Sequence, residues 1–267
     1  MKKTYGLSEQ QYREIARQLY EAELQLRPIP LLTQQYPDIT DEDAYAIQKA
    51  GMELRLADGE KVVGRKIGLT SRGMMKQIGC DTPDYAYLTA SSCVAEGGSI
   101  ARASLNIPLV EGEMAFIMGE DLNKEHVSVA DVMNATAWVV PCFEVCDARY
   151  PAWKGITVRD TISDRAGAAL FMIGSAPKRL SEINPRGIGM VMEKNGDLLG
   201  SAAGVEVMGS PVTSVAWLAN KLLEYGDWLK RGDIVLSGAF MASDAAAAGD
   251  HYAVTLDGFP TLSVRFV

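Results

Sequence analysis

The sequence predicts an α+β fold, in which a helical N-terminal segment precedes a body built mostly of strands from about residue 61. Apolar residues at helical spacing fill the first part of the chain, and short β-type runs bounded by turn residues fill the rest. These runs do not alternate regularly with helices, so a parallel doubly wound sheet is disfavoured. We therefore expect two parts, a helical segment over residues 1–60 and a body over residues 61–267.

Capping boxes predict the helices of the N-terminal segment. Ser8 and Gln11 have the S-x-x-Q spacing ahead of an apolar helical stripe. Thr40 and Asp43 begin a second helix, which we expect to end near Gly59 because glycine readily adopts the conformation that follows a helix.

The body is predicted from strand-like runs and two helices. Asn195-Gly196 separates two strand-like arms, which is a strong hairpin signal. One helix begins at Ser128, with Asp131 three residues on, and the other covers "PVTSVAWLANKLLEYG". The remaining strand-like runs are "KVVGRKIGLT", "IPLVEGEMAFIM", "AWVVPCFEVCDA", "DIVLSGAF", "YAVTL" and "LSVRFV".

Composition and charge restrict the class of protein. Hydrophobic residues make up 48% of the 267 residues and charged residues 22%, which is ordinary for a soluble globular protein. The net charge of −8 argues against a nucleic-acid partner, because phosphate binding favours a basic surface. The sequence shows no signal-peptide pattern and no apolar run of the roughly 18 to 20 residues that span a membrane. We expect a cytoplasmic protein with no membrane partner.

Two glutamates interrupt the apolar run "PLVEGEMAFIMG". Glu111 and Glu113 lie two residues apart, so in a strand their side chains point to the same face. Such like charges repel, and each resists leaving water. Glu144 raises the same question in "WVVPCFEVCDARY". A divalent cation would offset all three charges, and carboxylate oxygens suit Mg²⁺ or Mn²⁺ bound to an oxygen-rich substrate.

The same pattern leaves a simpler alternative. The two glutamates of the E-x-E would then lie on the solvent face of a half-exposed strand, and Glu144 would bond an arginine such as Arg149. Cys142 and Cys146 share the face of Glu144, so a zinc site is conceivable, although cysteines in such runs are more often small core residues. The four cysteines have neither C-x-x-C nor zinc-finger spacing, which favours reduced thiols.

Lys66 and Asp84 are candidates for proton transfer. Lys66 lies in the apolar, glycine-flanked run "GRKIGLTS", where its ammonium either transfers a proton or binds an anionic substrate. The alternative is a lysine whose long stem carries the charge to the surface. Asp84 in "CDTPDYAYL" either begins a turn or acts as a general base.

A series of stretches along nearly the whole chain resembles one known family. They are "TDEDAYAIQ", "VVGRKIGLTS", "GCDTPDYAYL", "PLVEGEMAF", "VVPCFEVCDARY", "DTISD", "SVAWLANKL", "GDIVLSGA" and "LSVRFV". Together they resemble the 2-keto-4-pentenoate hydratases (2-hydroxypenta-2,4-dienoate hydratases) of the fumarylacetoacetate hydrolase-like superfamily. That group includes the 2-oxohept-4-ene-1,7-dioate hydratases and the 4-oxalocrotonate decarboxylases.

The resemblance implies a fold and a cofactor. The fold is a helical N-terminal segment packed on a mixed β-roll, in homo-oligomers of up to ten copies that associate with a related decarboxylase. The cofactor is Mg²⁺ or Mn²⁺, with ligands at Glu111, Glu113 and Glu144. Lys66 and Asp84 fall on positions that the family uses for proton transfer or substrate binding.

The resemblance also implies substrate-binding positions at Leu88, Arg165 and Gly167. Two of these depart from the family pattern, because "DRAG" replaces "DNAS" and places an arginine for asparagine and a glycine for serine. Ser210 similarly replaces a histidine. A guanidinium facing the cavity would favour a substrate with a second carboxylate, whereas in the alternative it pairs with a carboxylate such as Asp164 or Asp160.

The implied activity is addition of water to a 2-hydroxy-2,4-dienoate to give a 4-hydroxy-2-oxo acid in aromatic-compound catabolism. The resemblance is compatible with two other functions. One is a metal-dependent decarboxylase of the 4-oxalocrotonate type, which would use the same chelate. The other is a diverged relative that acts on another 2-oxo acid or serves as an assembly partner.

Overall fold

The computed structural model describes residues 6–267, without the side chains of Arg72, Met74 and Gln77. Its helices are α1 (Glu9–Gln25), α2 (Leu32–Gln35), α3 (Asp41–Ala57), α4 (Arg72–Ile78), α5 (Val129–Ala135), α6 (Val158–Ser163) and α7 (Pro211–Glu224). Its strands are β1 (Val62–Gly68), β2 (Asp84–Thr89), β3 (Ser99–Ile100), β4 (Leu109–Met118), β5 (Thr136–Cys146), β6 (Ala168–Ile173), β7 (Gly189–Lys194), β8 (Asp197–Ala203), β9 (Ile234–Leu236), β10 (Asp244–Ala245), β11 (His251–Leu256) and β12 (Leu262–Phe266).

Helices α1 and α3 begin at the predicted capping residues. The Ser8 hydroxyl accepts a hydrogen bond from the Gln11 amide at 3.3 Å, and the Gln11 side chain accepts one from the Ser8 amide at 2.9 Å. Thr40 and Asp43 form the same reciprocal pair at the start of α3. Helices α1 and α3 pack on each other, and their apolar faces share a small core with the segment after β5.

Two mixed sheets form the body. One has the order β2-β1-β9-β4-β5-β6, with β10 also paired to β4, and it curls until β2 and β6 touch. The other has the order β3-β12-β11-β7-β8. The main hydrophobic core lies between the sheets and α7. The α+β class with mixed sheets is therefore confirmed.

The alternation of side chains along β4 and β5 gives the curled sheet two different faces. Met114 and Phe116 of β4 point into the main core, while Ala115 points into the interior of the curl with the glutamates. The two strands are antiparallel, and their register sets Glu111 directly opposite Glu144. All three predicted glutamates therefore share the interior face.

Close backbone approach at Gly64 sets the position of β1. Strands β1 and β9 are parallel, and Gly64 pairs with Ile234. A Cβ atom at Gly64 would lie 1.8 Å from the carbonyl oxygen of Ile234, so no other residue fits without moving the strands apart. The same register places Lys66 opposite Leu236.

Several elements differ from expectation. The predicted helices at Ser128 and over 211–224 and the hairpin at Asn195-Gly196 are confirmed. The structure adds α2, α4 and α6, and it adds strands such as β2 and β6 that the sequence patterns do not predict. The start of α6 does carry a capping signal, since Thr157 and Asp160 form the same reciprocal box as in α3.

The N-terminal helices end before residue 60 and β1 begins at Val62, but the division of the chain into two domains stays a prediction. Across the described residues, no helix combines the length and the hydropathy that crossing a membrane requires.

Candidate metal centre and active site

Four strands bring charged side chains together inside the curled sheet. Lys66 comes from β1, Asp84 from β2, Glu111 and Glu113 from β4, and Glu144 from β5. Lys66 and Asp84 are each 2% exposed, Glu113 is 0% exposed and Glu144 is 1% exposed. Glu111 is only partly buried. The burial contradicts the alternative in which the E-x-E faces solvent and the one in which Lys66 reaches the surface.

Lys66 forms a buried ion pair with Glu144. The Nζ atom lies 3.0 Å from Oε1 of Glu144. Burial alone would lower the pKa of Lys66, but its interactions with Cys146, Glu144 and Asp84 raise it well above its ordinary value. Lys66 therefore carries a full positive charge inside the sheet. The suggested pairing of Glu144 with Arg149 was wrong, since Arg149 pairs with Asp164.

The carboxylates suit a divalent cation. Burial, and then the charge of Glu144, raise the pKa of Glu111 to about 7 and raise that of Glu113 well above its ordinary value. Oε1 of Glu113 and Oε2 of Glu144 are buried and have no hydrogen-bond partner among the described residues. Unpaired buried oxygens are costly, and a hard cation would satisfy them. The residues present therefore fit Mg²⁺ or Mn²⁺.

The backbone after β9 positions Glu113. The Gly238 amide donates a hydrogen bond of 2.8 Å to Oε2 of Glu113, and Oε1 has no hydrogen-bond partner among the described residues. Gly238 has a φ of +110°, and a Cβ atom there would lie 2.3 Å from the Thr70 hydroxyl oxygen. Glycine is therefore required at the turn that holds this carboxylate.

A thiol that the sequence patterns assigned to the core also belongs to the centre. Cys142 lies in an apolar cluster, as expected. Sγ of Cys146, however, lies 3.4 Å from Oε1 of Glu144 and 3.9 Å from Nζ of Lys66. Burial raises the pKa of the Cys146 thiol. Its spacing of two residues from Glu144 along one strand is the signal that made a zinc site conceivable from the sequence.

Asp84 and Lys66 occupy neighbouring space above Gly68. A Cβ atom at Gly68 would meet Oδ1 of Asp84 at 2.2 Å and Nζ of Lys66 at 3.4 Å. Oδ2 of Asp84 accepts a hydrogen bond of 3.2 Å from the hydroxyl of Thr161 on α6. Burial raises the pKa of Asp84, and Lys66 opposes that effect. Lys66 and Asp84 therefore border one space inside the sheet, in which each influences the charge state of the other. Thr161 was missed because its contact depends on the docking of α6.

Two of the predicted substrate-binding residues, Leu88 and Gly167, lie in different environments. Leu88 is buried in the apolar cluster that fills the curl beyond the charged residues. Gly167 has a φ of +73°, and a Cβ atom there would lie 3.7 Å from Cβ of Cys146 and 3.1 Å from the Trp153 ring. Gly167 therefore borders the centre. Their roles toward a substrate stay predictions.

Arg165 points to the N-terminal helices. Its Nη2 atom lies 3.4 Å from a carboxylate oxygen of Glu23 and donates to the carbonyl of Ala168 at 2.6 Å. The side chain lines a cavity between α1, α3 and the end of α6, with Glu23 and Arg55 among its neighbours. Arg165 thus pairs with a protein carboxylate, although with neither Asp164 nor Asp160.

Glu23 joins the helical segment to the body. Arg55 of α3 and Arg165 each form an ion pair with its carboxylate. Nη1 of Arg149 lies 3.9 Å from Oε2 of the same carboxylate. Burial alone would raise the pKa of Glu23, but the three arginines lower it to about 2. One carboxylate therefore balances cations from two parts of the chain.

The family model described as "Fumarylacetoacetate (FAA) hydrolase C-terminal" matches residues 67–267. The chain belongs to this family. It is 39% identical over 263 residues to a 2-hydroxyhexa-2,4-dienoate hydratase of Comamonas testosteroni. The aligned region covers 97% of this chain and 99% of that protein. It is 38% identical over 252 residues to a 2-keto-4-pentenoate hydratase of Burkholderia vietnamiensis, covering 94% and 96%.

A solved member of the family has the same fold. The 4-oxalocrotonate decarboxylase from Pseudomonas putida G7, complexed with magnesium and adipate, superposes with a TM-score of 0.96 at 34% identity, over 99% of this chain and 100% of that one. The predicted membership and the predicted mixed β-roll of the fumarylacetoacetate hydrolase type are both confirmed.

Proposed function

We propose that this member of the fumarylacetoacetate hydrolase family is a hydro-lyase that depends on a divalent metal. It adds water to a 2-hydroxy-2,4-dienoate, or its 2-oxo-4-enoate tautomer, to give a 4-hydroxy-2-oxo acid in aromatic-compound catabolism. One observation carries this proposal: buried carboxylates with unpaired oxygens lie beside a charged lysine and an aspartate, in a chain close in sequence to named dienoate hydratases.

Glu111, Glu113 and Glu144 would hold the Mg²⁺ or Mn²⁺. The bound cation would supply Lewis-acid stabilisation of negative charge on the 2-oxygen of the substrate. The ammonium of Lys66, which is buried against Glu144, would position the substrate carboxylate and shuttle a proton near it.

Asp84 would act as the base or orient Lys66. In the base role it takes a proton from the water that attacks carbon 4 and returns that proton to carbon 3, after the proton of the 2-hydroxyl has been transferred to carbon 5. Its pKa is raised by burial, which makes the carboxylate a stronger base near neutral pH. Its hydrogen bond with Thr161 fixes the direction of the carboxylate. The apolar cluster around Leu88 would keep other water away from the reacting carbons.

A decarboxylase is the second candidate, because the solved structure with a TM-score of 0.96 is a 4-oxalocrotonate decarboxylase. The same carboxylate set would stabilise the enolate that forms when carbon dioxide leaves. The third alternative is a relative that has lost catalysis and serves as an assembly partner.

The test uses the purified protein with 2-hydroxypenta-2,4-dienoate and with 4-oxalocrotonate, before and after metal removal and after Mg²⁺ is restored. We expect Mg²⁺-dependent hydration of the dienoate without release of carbon dioxide. Release of carbon dioxide without hydration would assign the decarboxylase instead. Turnover of neither substrate would contradict both activities.

The role of Arg165 in substrate choice is a narrower proposal. A second carboxylate on the substrate would have to compete with Glu23 for the guanidinium. The measurement is kcat/KM for a 2-oxo-enedioate and for the five-carbon dienoate, in the wild type and in Arg165→Asn. A ratio that shifts against the dioate supports the role, and an unchanged ratio contradicts it.

The assembly is also a proposal. The family resemblance supports a homo-oligomer of up to ten copies in the cytoplasm, associated with a related decarboxylase. Analytical ultracentrifugation of the protein, alone and with that decarboxylase, measures both associations. A monomer at micromolar concentration would contradict the homo-oligomer.

A further inference from the structure

We propose that Cys146 gives the centre a second mode of metal binding, in which Glu111, Glu144 and the thiolate of Cys146 hold a thiophilic divalent cation such as Zn²⁺, Co²⁺ or Cd²⁺. The two glutamates are shared with the hard-cation mode, so the two kinds of ion compete for one centre. The inference rests on the metal centre of the proposed function, and its test measures metal binding rather than turnover.

The spacing of the three groups fits four-coordinate geometry. Sγ of Cys146 lies 3.4 Å from Oε1 of Glu144 and 3.8 Å from Oε2 of Glu111. With Zn–S near 2.3 Å and Zn–O near 2.1 Å, a tetrahedral angle separates sulfur and oxygen ligands by about 3.6 Å. The ligand atoms of the three residues all lie within 4.8 Å of one another. A cation could therefore bind without a large movement of these side chains.

Two further observations indicate a binding site rather than a chance contact. Cys146 is 7% exposed and Glu144 is 1% exposed, so the ligands are held inside the sheet. Oε2 of Glu144 has no hydrogen-bond partner among the residues that the structure describes, which leaves an acceptor free for an ion.

Charge and ligand type favour this class of ion. Two carboxylates and a thiolate carry three negative charges, of which Lys66 offsets one through its contact with Glu144. A divalent ion neutralises the remainder, and the thiol proton passes to solvent when the ion binds. Sulfur ligands select Zn²⁺, Co²⁺ and Cd²⁺ over Mg²⁺, whereas oxygen ligands alone do not.

The experiment is a Co²⁺ titration of the metal-free full-length protein, followed by absorption spectroscopy. We expect a near-ultraviolet charge-transfer band from thiolate to cobalt in the wild type. Cys146→Ala should lose the band and should bind Cd²⁺ at least about tenfold more weakly. Tenfold is about the smallest loss of metal affinity seen when a residue that only supports a ligand is removed, and Cys146 would itself be a ligand. Cys142→Ala is the matched control, since it removes a buried thiol from the same face of β5, and it should keep the band.

Binding of Co²⁺ to the wild type without the band would overturn this inference and leave the hydratase proposal standing. Absence of any divalent metal binding would overturn both. X-ray absorption of the zinc-loaded wild type provides a measurement that needs no variant to fold. One sulfur neighbour near 2.3 Å supports the inference, and a shell of oxygen and nitrogen alone overturns it.

Discussion

Lys66 is the residue on which the charge balance of the centre depends. It places one ammonium beside buried carboxylates, with Nζ 3.0 Å from Oε1 of Glu144. Among the residues that the structure describes, no other lysine or arginine forms an ion pair with these glutamates. Without metal, its removal leaves Glu144 as an uncompensated buried charge. With metal, the cation takes over part of that compensation.

Lys66→Met should therefore have two separable effects. Turnover should fall by at least about 100-fold, the lower range for loss of a positioned proton-transfer group. The free energy of unfolding should fall by about 3–5 kcal/mol in the metal-free protein and by less with saturating Mg²⁺. Turnover assays and denaturant unfolding measure the two effects. Lys49→Met, a change at an exposed position of α3, is the control and should alter neither. Equal destabilisation with and without Mg²⁺ would contradict the shared compensation.

At the scale of elements, α1 is attached to the body through Glu23. Its carboxylate is the partner of Arg165 and Arg55 and lies near Arg149, so it links α1 and α3 to the end of α6. Neutralising it would leave three cations facing one another in a partly buried place.

Glu23→Gln should lower the free energy of unfolding by about 3–5 kcal/mol, the range for breaking a buried ion pair. Glu21→Gln changes an exposed carboxylate of the same helix, and it should stay within about 0.5 kcal/mol of wild type. Urea unfolding at neutral pH measures both. Equal effects of the two substitutions on the free energy of unfolding would show that Glu23 does not attach α1 to the body.

The pH dependence of this attachment has a defined sign. The folded pKa of Glu23 is about 2, below its ordinary value of 4.5. Its contribution to stability is therefore complete above about pH 4.5 and is lost as the pH falls toward 2. The stability difference between wild type and Glu23→Gln should shrink over that window. A difference that is constant between pH 5 and pH 2.5 would contradict the pKa assignment.

For the whole molecule, the buried carboxylates couple stability to both pH and metal. The folded pKa of Glu111 is about 7, above its ordinary value of 4.5, and that of Glu113 is raised as well. The stabilisation from their protonated forms is complete below about pH 4.5 and is lost as the pH rises through 7. A divalent cation opposes this loss, because it binds the ionised forms.

The increase in Tm that saturating Mg²⁺ produces should therefore grow between about pH 5 and pH 8. Glu113→Gln should raise the Tm of the metal-free protein near pH 8, since an amide removes the like-charge repulsion, and it should weaken Mg²⁺ binding and turnover. Thermal unfolding with and without Mg²⁺ across this pH range measures both effects. A constant Mg²⁺ effect across the range, or full activity of Glu113→Gln at limiting metal, would contradict the model of a carboxylate metal site.

Much of this architecture could be predicted from local pattern, and the rest depends on tertiary contacts. Capping boxes located α1, α3 and α5, and the two-residue spacing of Glu111 and Glu113 identified an unusual buried face. Strand β2 was not predicted, because its residues, an aspartate and two tyrosines among them, do not alternate between apolar and polar as those of a half-buried strand do. The pairing of Arg165 with Glu23 spans 142 residues, so no local pattern could indicate it.

The close contact at Gly64 has a consequence for how this chain tolerates mutation. Gly64 carries no reactive group, yet a methyl group there would meet the carbonyl of Ile234 and displace the strand that carries Lys66 two residues later. A library of substitutions scored by turnover would therefore rank Gly64 with the proton-transfer residues. The same library scored by folded yield would separate them, because a substitution at Asp84 spares the strand pairing and Gly64→Ala does not. Position 64 therefore accepts only glycine without moving the strands, for a reason that lies in backbone geometry alone.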